Sequence, residues 1–288
     1  MADYSAINRA NWDERVPAHV AAREYAVERF VEDPGFLSGV VSFDRRRLGD
    51  IRARRAVHLQ CHIGTDTVSL ARLGARVTGL DFSAPAVAAA RALAASAGVD
   101  ADFVVGDVYD AAAVLGERKF DLVYTGIGAL CWLPSVARWA TVVASLLRPG
   151  GRLFVREGHP MLWALDDAIA DELVVAYPYF EQPDPVVYDS EFTYVETDVR
   201  FTKTRAAVWN HGLGEIFSAL FGAGMRVVAF EEHDSVPWNA LPGQMDRGED
   251  GEWRLIEAPS RLAASYTLQA EKVVRAPRRH ARPRVTGS

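Results

Sequence analysis

The chain has 288 residues, of which 49% are hydrophobic, and its formal net charge is −6. This composition supports a large folded core, and the acidic balance excludes the global basic surface typical of nucleic-acid binding, so we expect no nucleic-acid partner. Two cysteines are too few for a disulfide framework, and Arg or Gly interrupts the long apolar runs before membrane length, so we expect a cytoplasmic protein without membrane attachment.

The first fifty residues predict an N-terminal helical cap. Apolar side chains between residues 4 and 32 recur at roughly helical spacing among charged positions, which indicates one or two helices. Asp33, Pro34 and Gly35 then end the pattern, because such a tripeptide favours a turn. We therefore assign residues 1–50 to the cap.

Strands and helices alternate between about residues 55 and 158, which predicts a parallel sheet with right-handed crossovers. The predicted strands cover residues 57–61, 76–81, 102–106, 120–125 and 152–156. The intervening helices include 65–73, a stretch that begins at Ser83 and ends at Gly98, and 135–147. Ligands bind beyond the carboxyl ends of the strands in such sheets, so the residues that follow each strand matter most for function.

The alternation stops after Pro160. Residues 161–208 are rich in aromatic residues and proline and contain an alternating stretch, which predicts an insertion with a hairpin or a pair of added strands. A helix at 211–222, a strand at 226–231, an irregular loop at 233–260 and a last strand at 265–273 follow. Because no helix joins the last two strands, we expect them to be antiparallel. The predicted domain spans 51–275, and residues 276–288 form a flexible tail.

Two carboxylates follow neighbouring strands at the positions where a βαβ fold binds a nucleoside. Asp81 lies 17 residues after Gly64 and ends the second predicted strand, where an acid can accept from two ribose hydroxyls. Asp107 ends the third strand, where a carboxylate can accept from the exocyclic amine of adenine. The turn before them contains Gln60 and His62 where glycines are usual, so the nucleoside-binding prediction depends on the two acids together.

At this point the chain resembles the class I S-adenosylmethionine-dependent methyltransferases, over residues 50–160 and more loosely to 275. The matching segments are HLQCHIG, GLDFS, VVGD, FDLVYTGIG and LLRPGGRLFV. The resemblance implies a Rossmann-like α/β fold: a mostly parallel seven-stranded sheet with helices on both faces and an antiparallel last strand. It also implies S-adenosyl-L-methionine as the cofactor, S-adenosyl-L-homocysteine as the product, and methyl transfer to an O, N or C nucleophile of a small molecule.

The resemblance assigns a part of the cofactor to each loop. Residues 60–64 surround its amino-acid part, Asp81 binds the ribose, Phe82 flanks the adenine, and Asp107 with the Val108 amide binds the adenine edge. The complete predicted cofactor set is Gln60, His62, Gly64, Asp66, Asp81, Phe82, Asp107, Val108, Thr125 and Gly126.

The first motif departs from the family at three positions. His58 stands where an acid is usual, and Gln60 and His62 replace the first two glycines of the Gly-x-Gly-x-Gly pattern. We expect the His62 side chain to contact the cofactor carboxylate.

Catalysis by methyl transfer depends mainly on positioning, and a neutral O or N acceptor also needs a base. His159 is the favoured base because it follows the fifth strand, and Glu157 beside it can orient it or bind a cationic substrate. His211, at the start of a later helix, is the third candidate. The spacing of the histidines does not call for a metal site.

Aromatic residues in the cap and the loops predict a lid that packs over the cofactor and excludes water. The proposed lid residues are Trp12, Tyr25, Trp132 and Trp238.

Two other function classes stay open at this stage. One is a nicotinamide-dependent oxidoreductase, in which Asp81 would bind the ribose equally well. The other is an S-adenosylmethionine-binding protein with different chemistry, such as a cyclase, a lyase or a sensor, because the fold and the cofactor site do not determine the reaction. The sequence does not identify the methyl acceptor or the oligomeric state.

Overall fold

A computed structural model describes residues 3–273, and the predicted tail at 276–288 lies outside this range. Three helices precede the sheet: α1 (Tyr4–Ala21), α2 (Val27–Glu32) and α3 (Gly39–Leu48). The sequence predicted helix only to residue 32, so α3 was missed. Its buried apolar face is narrow and its last turn holds three consecutive arginines, although Ser38 caps the helix by accepting the Val41 N–H.

The middle of the chain alternates between strands and helices, as predicted. The strands are β1 (Arg55–Leu59), β2 (Arg76–Asp81), β3 (Asp102–Val105), β4 (Phe120–Thr125) and β5 (Leu147–Gly158). The helices are α4 (Thr65–Arg72), α5 (Ala84–Ser96), α6 (Ala111–Leu115) and α7 (Val136–Leu146). Ser83 and Ser135 cap α5 and α7 through side-chain oxygens that accept backbone N–H groups.

The last third of the chain adds two small hairpins and the end of the main sheet. Its elements are α8 (Pro160–Trp163), β6 (Val186–Asp189), β7 (Arg205–Val208), α9 (Leu213–Gly222), β8 (Met225–His233), β9 (Met245–Arg247), β10 (Trp253–Leu255) and β11 (Ser265–Lys272). The antiparallel pair β6–β7 confirms the added strands predicted after residue 161. The loop at 233–260 is not wholly irregular, because it holds the β9–β10 hairpin; each strand has only three residues, too few for a recognisable alternation.

The main sheet has seven strands in the order β3-β2-β1-β4-β5-β11-β8. Strands β1 to β5 are parallel, whereas β11 lies antiparallel between β5 and β8. The predicted fold class and the antiparallel end are therefore confirmed. All the loops after β1 to β5 emerge at one edge of the sheet, which is where the predicted site residues lie.

Helices cover both faces of the sheet and hold it rigid. Helices α6, α7 and α9 pack on one face around Trp139, which is fully buried. On the other face, α3 and α4 pack around Tyr124 and Phe154, and α2, α4 and α5 pack around Phe103. The strand ends are thereby fixed relative to one another. Within residues 3–273, no helix combines the length and the apolar character needed to cross a membrane.

Candidate functional site

The turn after β1 keeps the backbone shape of a glycine loop although two of its glycines are replaced. Gln60 and His62 adopt φ values of +57° and +49°, and Gly64 has φ +83°. This left-handed region favours glycine and costs other residues about 1–2 kcal/mol each. Two residues other than glycine therefore occupy strained positions in this turn.

Asp81 ends β2 and anchors this turn. Its carboxylate oxygens accept from the backbone N–H of His62 at 2.8 Å and from that of Ser83 at 2.9 Å. Burial raises the pKa of Asp81 to about 6, and the hydrogen bonds from Ser83 and His62 oppose this shift. A carboxylate has four lone-pair positions, so each oxygen keeps acceptor capacity for a hydroxyl group.

The residues predicted for adenine lie beneath the first half of α1. Asp107 accepts the Tyr109 N–H at 2.8 Å and caps the short 3-10 turn Val108–Asp110. The Ser5 hydroxyl of α1 lies 3.4 Å from its other oxygen. The Arg9 guanidinium lies 5.6 Å from the centre of the Phe82 ring.

Asp66, Thr125 and Gly126 lie on the other side of the turn. A methyl group added at Gly126 would stand 3.2 Å from Asp66 Oδ2, so this glycine keeps the approach to Asp66 open. Burial raises the pKa of Asp66. Thr125 Oγ1 and Gln60 Oε1 are buried and have no hydrogen-bond partner among the described residues. Such buried atoms are costly unless a ligand or a water pairs with them.

His58 belongs to the core rather than to the cleft. Its Nδ1 lies 2.9 Å from Thr67 Oγ1, and burial lowers its pKa to about 3. A neutral, hydrogen-bonded imidazole thus occupies this position of β1.

Three of the four predicted lid residues surround the loop that follows β1. The ring of Trp12 lies 5.0 Å from that of His62 and 5.2 Å from that of Trp132, and the ring of Tyr25 lies 5.6 Å from His62, measured between centroids. Trp238 lies elsewhere, stacked on Trp163 in the core cluster of the β9–β10 region.

Helix α1 is fastened to the cofactor loops through polar contacts that the sequence did not reveal. The Ser83 hydroxyl donates to Asp13 at 2.6 Å, and His19 Nδ1 lies 2.8 Å from His62 Nε2. Sequence spacing gives no signal for either contact, because the partners lie on separate elements.

The opposite side of α1 is bound to the insertion. Asn8 and the backbone of Ala207 exchange two hydrogen bonds of 2.8 Å, and Arg15 donates to the carbonyls of Ser190 and Phe192 at 3.0 Å. Helix α1 therefore lies between the loops after β1 and β2 and the β6–β7 segment.

Glu157 serves as an anchor for the loop after β4. Its carboxylate accepts the N–H groups of Gly128, Ala129, Leu130 and Gly158 at 2.6–2.8 Å. Burial raises its pKa, and these four donors oppose the shift. The residue is thus directed at backbone donors rather than at a substrate.

The predicted pairing of Glu157 with His159 does not form. Strand β5 ends at Gly158, and His159 begins α8 as its N-cap, so the ring turns away: Nδ1 accepts the Met161 N–H and Nε2 contacts Glu232, both at 3.0 Å. Burial lowers the pKa of His159, and Glu232 opposes this shift. Glu232, not Glu157, orients this histidine.

His211 also has both ring nitrogens engaged. They lie 2.7 Å from Glu215 Oε2 and 2.7 Å from the carbonyl oxygen of Leu133. These contacts hold the start of α9 against the loop at residue 133. The catalytic roles of His159, Glu157 and His211 stay predictions, and their hydrogen bonding favours positioning roles.

Comparison with known proteins agrees with this arrangement. Residues 57–153 match the sequence profile of a methyltransferase domain. A ubiquinone biosynthesis O-methyltransferase of Xanthomonas euvesicatoria pv. vesicatoria is 36% identical over 106 residues, or 37% of this chain. The chain spans only 44% of that enzyme's length in the alignment.

Solved structures extend the similarity over most of the chain. An S-adenosylmethionine-dependent methyltransferase of Mesorhizobium loti has a TM-score of 0.57 and 22% identity, covering 81% of this chain and 98% of that one. A geranyl diphosphate C-methyltransferase of Streptomyces coelicolor A3(2), bound to S-adenosyl-L-homocysteine, has a TM-score of 0.53 and 13% identity, covering 81% and 78%. At these identities the structures show a shared fold.

Proposed function

We propose that this chain, a class I S-adenosylmethionine-dependent methyltransferase by domain and fold, transfers a methyl group from S-adenosylmethionine to an oxygen of a small molecule. The observation that carries the proposal is the convergence of Asp81, Asp107 and the left-handed turn 60–64 at one sheet edge. The aligned O-methyltransferase of Xanthomonas supports oxygen as the acceptor atom.

The residues at this edge fit the proposed cofactor. Asp81 and Asp107 are acceptors suited to a ribose diol and an exocyclic amine, and they end adjacent strands. Gln60 Oε1 and Thr125 Oγ1 are buried acceptors without a partner in residues 3–273, beside the turn proposed for the amino-acid part. A nucleoside that carries an amino-acid chain would satisfy this set.

The bound cofactor supplies an electrophilic methyl group on a sulfonium sulfur. The protein's part is to bind, orient and exclude water: Asp81 fixes the ribose, Glu157 holds the loop after β4, and α1 with Trp12 covers the cleft. A neutral hydroxyl acceptor must also lose its proton to a base or to water, and His159 has no free ring nitrogen for this among the described residues, because Nε2 contacts Glu232 and Nδ1 accepts the Met161 N–H.

The sheet order argues against the nicotinamide alternative. Dinucleotide-binding sheets continue after the fifth strand with a parallel sixth, whereas here β11 runs antiparallel between β5 and β8. The non-methylating alternative shares the fold and the cofactor, so product analysis is needed to distinguish it from methyl transfer.

The test combines binding with product analysis. We expect calorimetric titration to give micromolar binding of S-adenosylmethionine and S-adenosylhomocysteine and none of NADH. Incubation with S-adenosylmethionine and a panel of phenols and catechols, followed by mass spectrometry, should give acceptors heavier by one methylene unit together with S-adenosylhomocysteine.

The control is the same incubation without an acceptor. Breakdown of S-adenosylmethionine under that condition would indicate a cyclase or lyase instead, and binding of NADH alone would overturn the proposal.

A further inference from the structure

Two buried histidines meet between α1 and the turn that follows β1. His19 Nδ1 lies 2.8 Å from His62 Nε2, and His19 Nε2 lies 2.8 Å from Thr193 Oγ1, so the pair joins α1, the cofactor turn and the insertion. The ring of Trp12 lies 5.5 Å from that of His19 and 5.0 Å from that of His62. The pair and the indole ring thus form one continuous wall.

The proposed subsites of the cofactor would bring its sulfur close to this wall. In S-adenosylmethionine the sulfonium sulfur is bonded both to the amino-acid chain and to the ribose. His62 belongs to the turn proposed for the amino-acid chain, and its backbone N–H donates to Asp81, the proposed ribose acceptor, at 2.8 Å. With the two parts of the cofactor bound as proposed, the sulfur between them would lie close to His62.

The wall carries no positive charge near neutral pH. Burial, together with the neighbouring His19, lowers the pKa of His62 well below its ordinary value. Burial and the Arg15 guanidinium lower the pKa of His19 to about 4. Neutral imidazoles and an indole face accept a neighbouring cation, whereas an imidazolium would repel it.

We propose that His19, His62 and Trp12 form a charge-selective wall that favours the cationic sulfonium donor over the neutral thioether product. When the methyl group passes to the acceptor, an oxygen lone pair forms the new C–O bond, the C–S bonding pair stays on sulfur, and the hydroxyl proton passes to a base or to water. The positive charge on sulfur thereby disappears. The wall then loses its attraction for the ligand, which favours product release. This inference rests on the proposed function, because it names the residues that contact the reacting end of the cofactor.

The test compares the affinities of the two ligands in variants that differ only in charge. His62→Lys and His62→Gln place unbranched side chains at the same left-handed backbone position, so their backbone strain is matched. In His62→Lys we expect S-adenosylmethionine affinity to fall about tenfold more than S-adenosylhomocysteine affinity. In His62→Gln the ratio of the two affinities should stay within about threefold of the wild-type ratio.

A second pair tests the aromatic face without adding a charge. Trp12→Leu should lower S-adenosylmethionine affinity about threefold or more relative to S-adenosylhomocysteine, and Trp12→Phe should keep most of the preference. Binding of S-adenosylhomocysteine shows that each variant is folded. If His62→Lys binds neither ligand, the affinities of Trp12→Leu decide whether the wall distinguishes the two ligands. Equal losses for both ligands would overturn the charge-selective wall. Failure of the wild-type chain to bind either ligand would instead overturn the cofactor assignment.

Discussion

At the loops that follow β1, β2 and β3, single side-chain contacts connect the sheet edge to α1, whereas at the end of β5 buried charged side chains are held by several hydrogen bonds each. His62, Ser83 and Asp107 each contact a different residue of α1: His19, Asp13 and Ser5. Each contact is a single side-chain pair between α1 and the loop after β1, β2 or β3. The arrangement of the first region therefore depends on the position of α1.

The second region is held by a larger set of hydrogen bonds. Glu157 is enclosed by four backbone donors, and Arg156 on the same strand pairs with Glu252 at 2.6 Å, with side chains 0% and 4% exposed. A saturated buried carboxylate fixes a shape, because moving it would leave several donors unpaired. The comparison indicates that a buried acid at the end of a strand can bind a ligand only where its oxygens keep free hydrogen-bond acceptor positions.

The largest effect on stability should come from a substitution of Glu157, whose carboxylate accepts from four backbone donors. In Glu157→Gln, one carboxylate oxygen becomes an NH2 group that faces backbone N–H donors, and we expect the free energy of unfolding to fall by about 3 kcal/mol. Urea denaturation monitored by circular dichroism measures this. The matched control is Glu232→Gln, a half-exposed acid whose side chain contacts His159, for which we expect a loss of about 1 kcal/mol or less.

A loss below about 1 kcal/mol in Glu157→Gln would contradict the anchoring role. It would also return Glu157 to the list of residues available to a substrate.

The second predicted effect is a pH dependence of the first region, which arises from the titration of Asp81. Burial raises the pKa of Asp81 to about 6, so the folded chain holds this proton more tightly than the unfolded chain does. Since an unfolded aspartate titrates near pH 3.9, the contribution of Asp81 to stability falls as the pH rises from about 4 to about 6. The ionised carboxylate is the better acceptor for ribose hydroxyls, so S-adenosylhomocysteine affinity should rise about tenfold between pH 5 and pH 7.

Asp81→Asn is the control for this titration. It keeps the size of the side chain but removes the charge, so binding should weaken by about tenfold to a hundredfold at pH 7. Calorimetry across the pH range should show that the rise in affinity is lost in this variant. A wild-type affinity that is flat between pH 5 and pH 7 would remove Asp81 from the ribose site.

The same contrast explains what the sequence could predict. Strands β1 to β5 and the acids at their ends carry local signals: a short apolar run, a turn and a polar residue at the strand terminus. Asp81 and Asp107 were found in this way, and so was the antiparallel last strand, because the loop before it has no helical pattern.

The contacts between distant elements have no such local signal. His19 meets His62 across 43 positions and Thr193 across 174, and only the packing of α1 against the insertion brings them together. Glu157 shows the opposite difficulty. Its position after β5 suggested catalysis, but the backbone donors that enclose it come from a loop whose path the sequence does not indicate.

The smallest predicted effect concerns the contact between Ser5 and Asp107 in the first region. The Ser5 hydroxyl lies 3.4 Å from Asp107 Oδ2 at an exposed site, so this contact contributes about 0.5 kcal/mol or less. If adenine takes over this oxygen, Ser5→Ala removes a competitor, and S-adenosylhomocysteine affinity should stay constant or rise by about twofold. Asp107→Ala should instead weaken binding by about tenfold, since it removes the acceptor itself. Calorimetry on the two variants measures both changes, and a marked loss of affinity in Ser5→Ala would mean that the hydroxyl contacts the ligand directly. The helix would then be part of the binding site rather than only its cover.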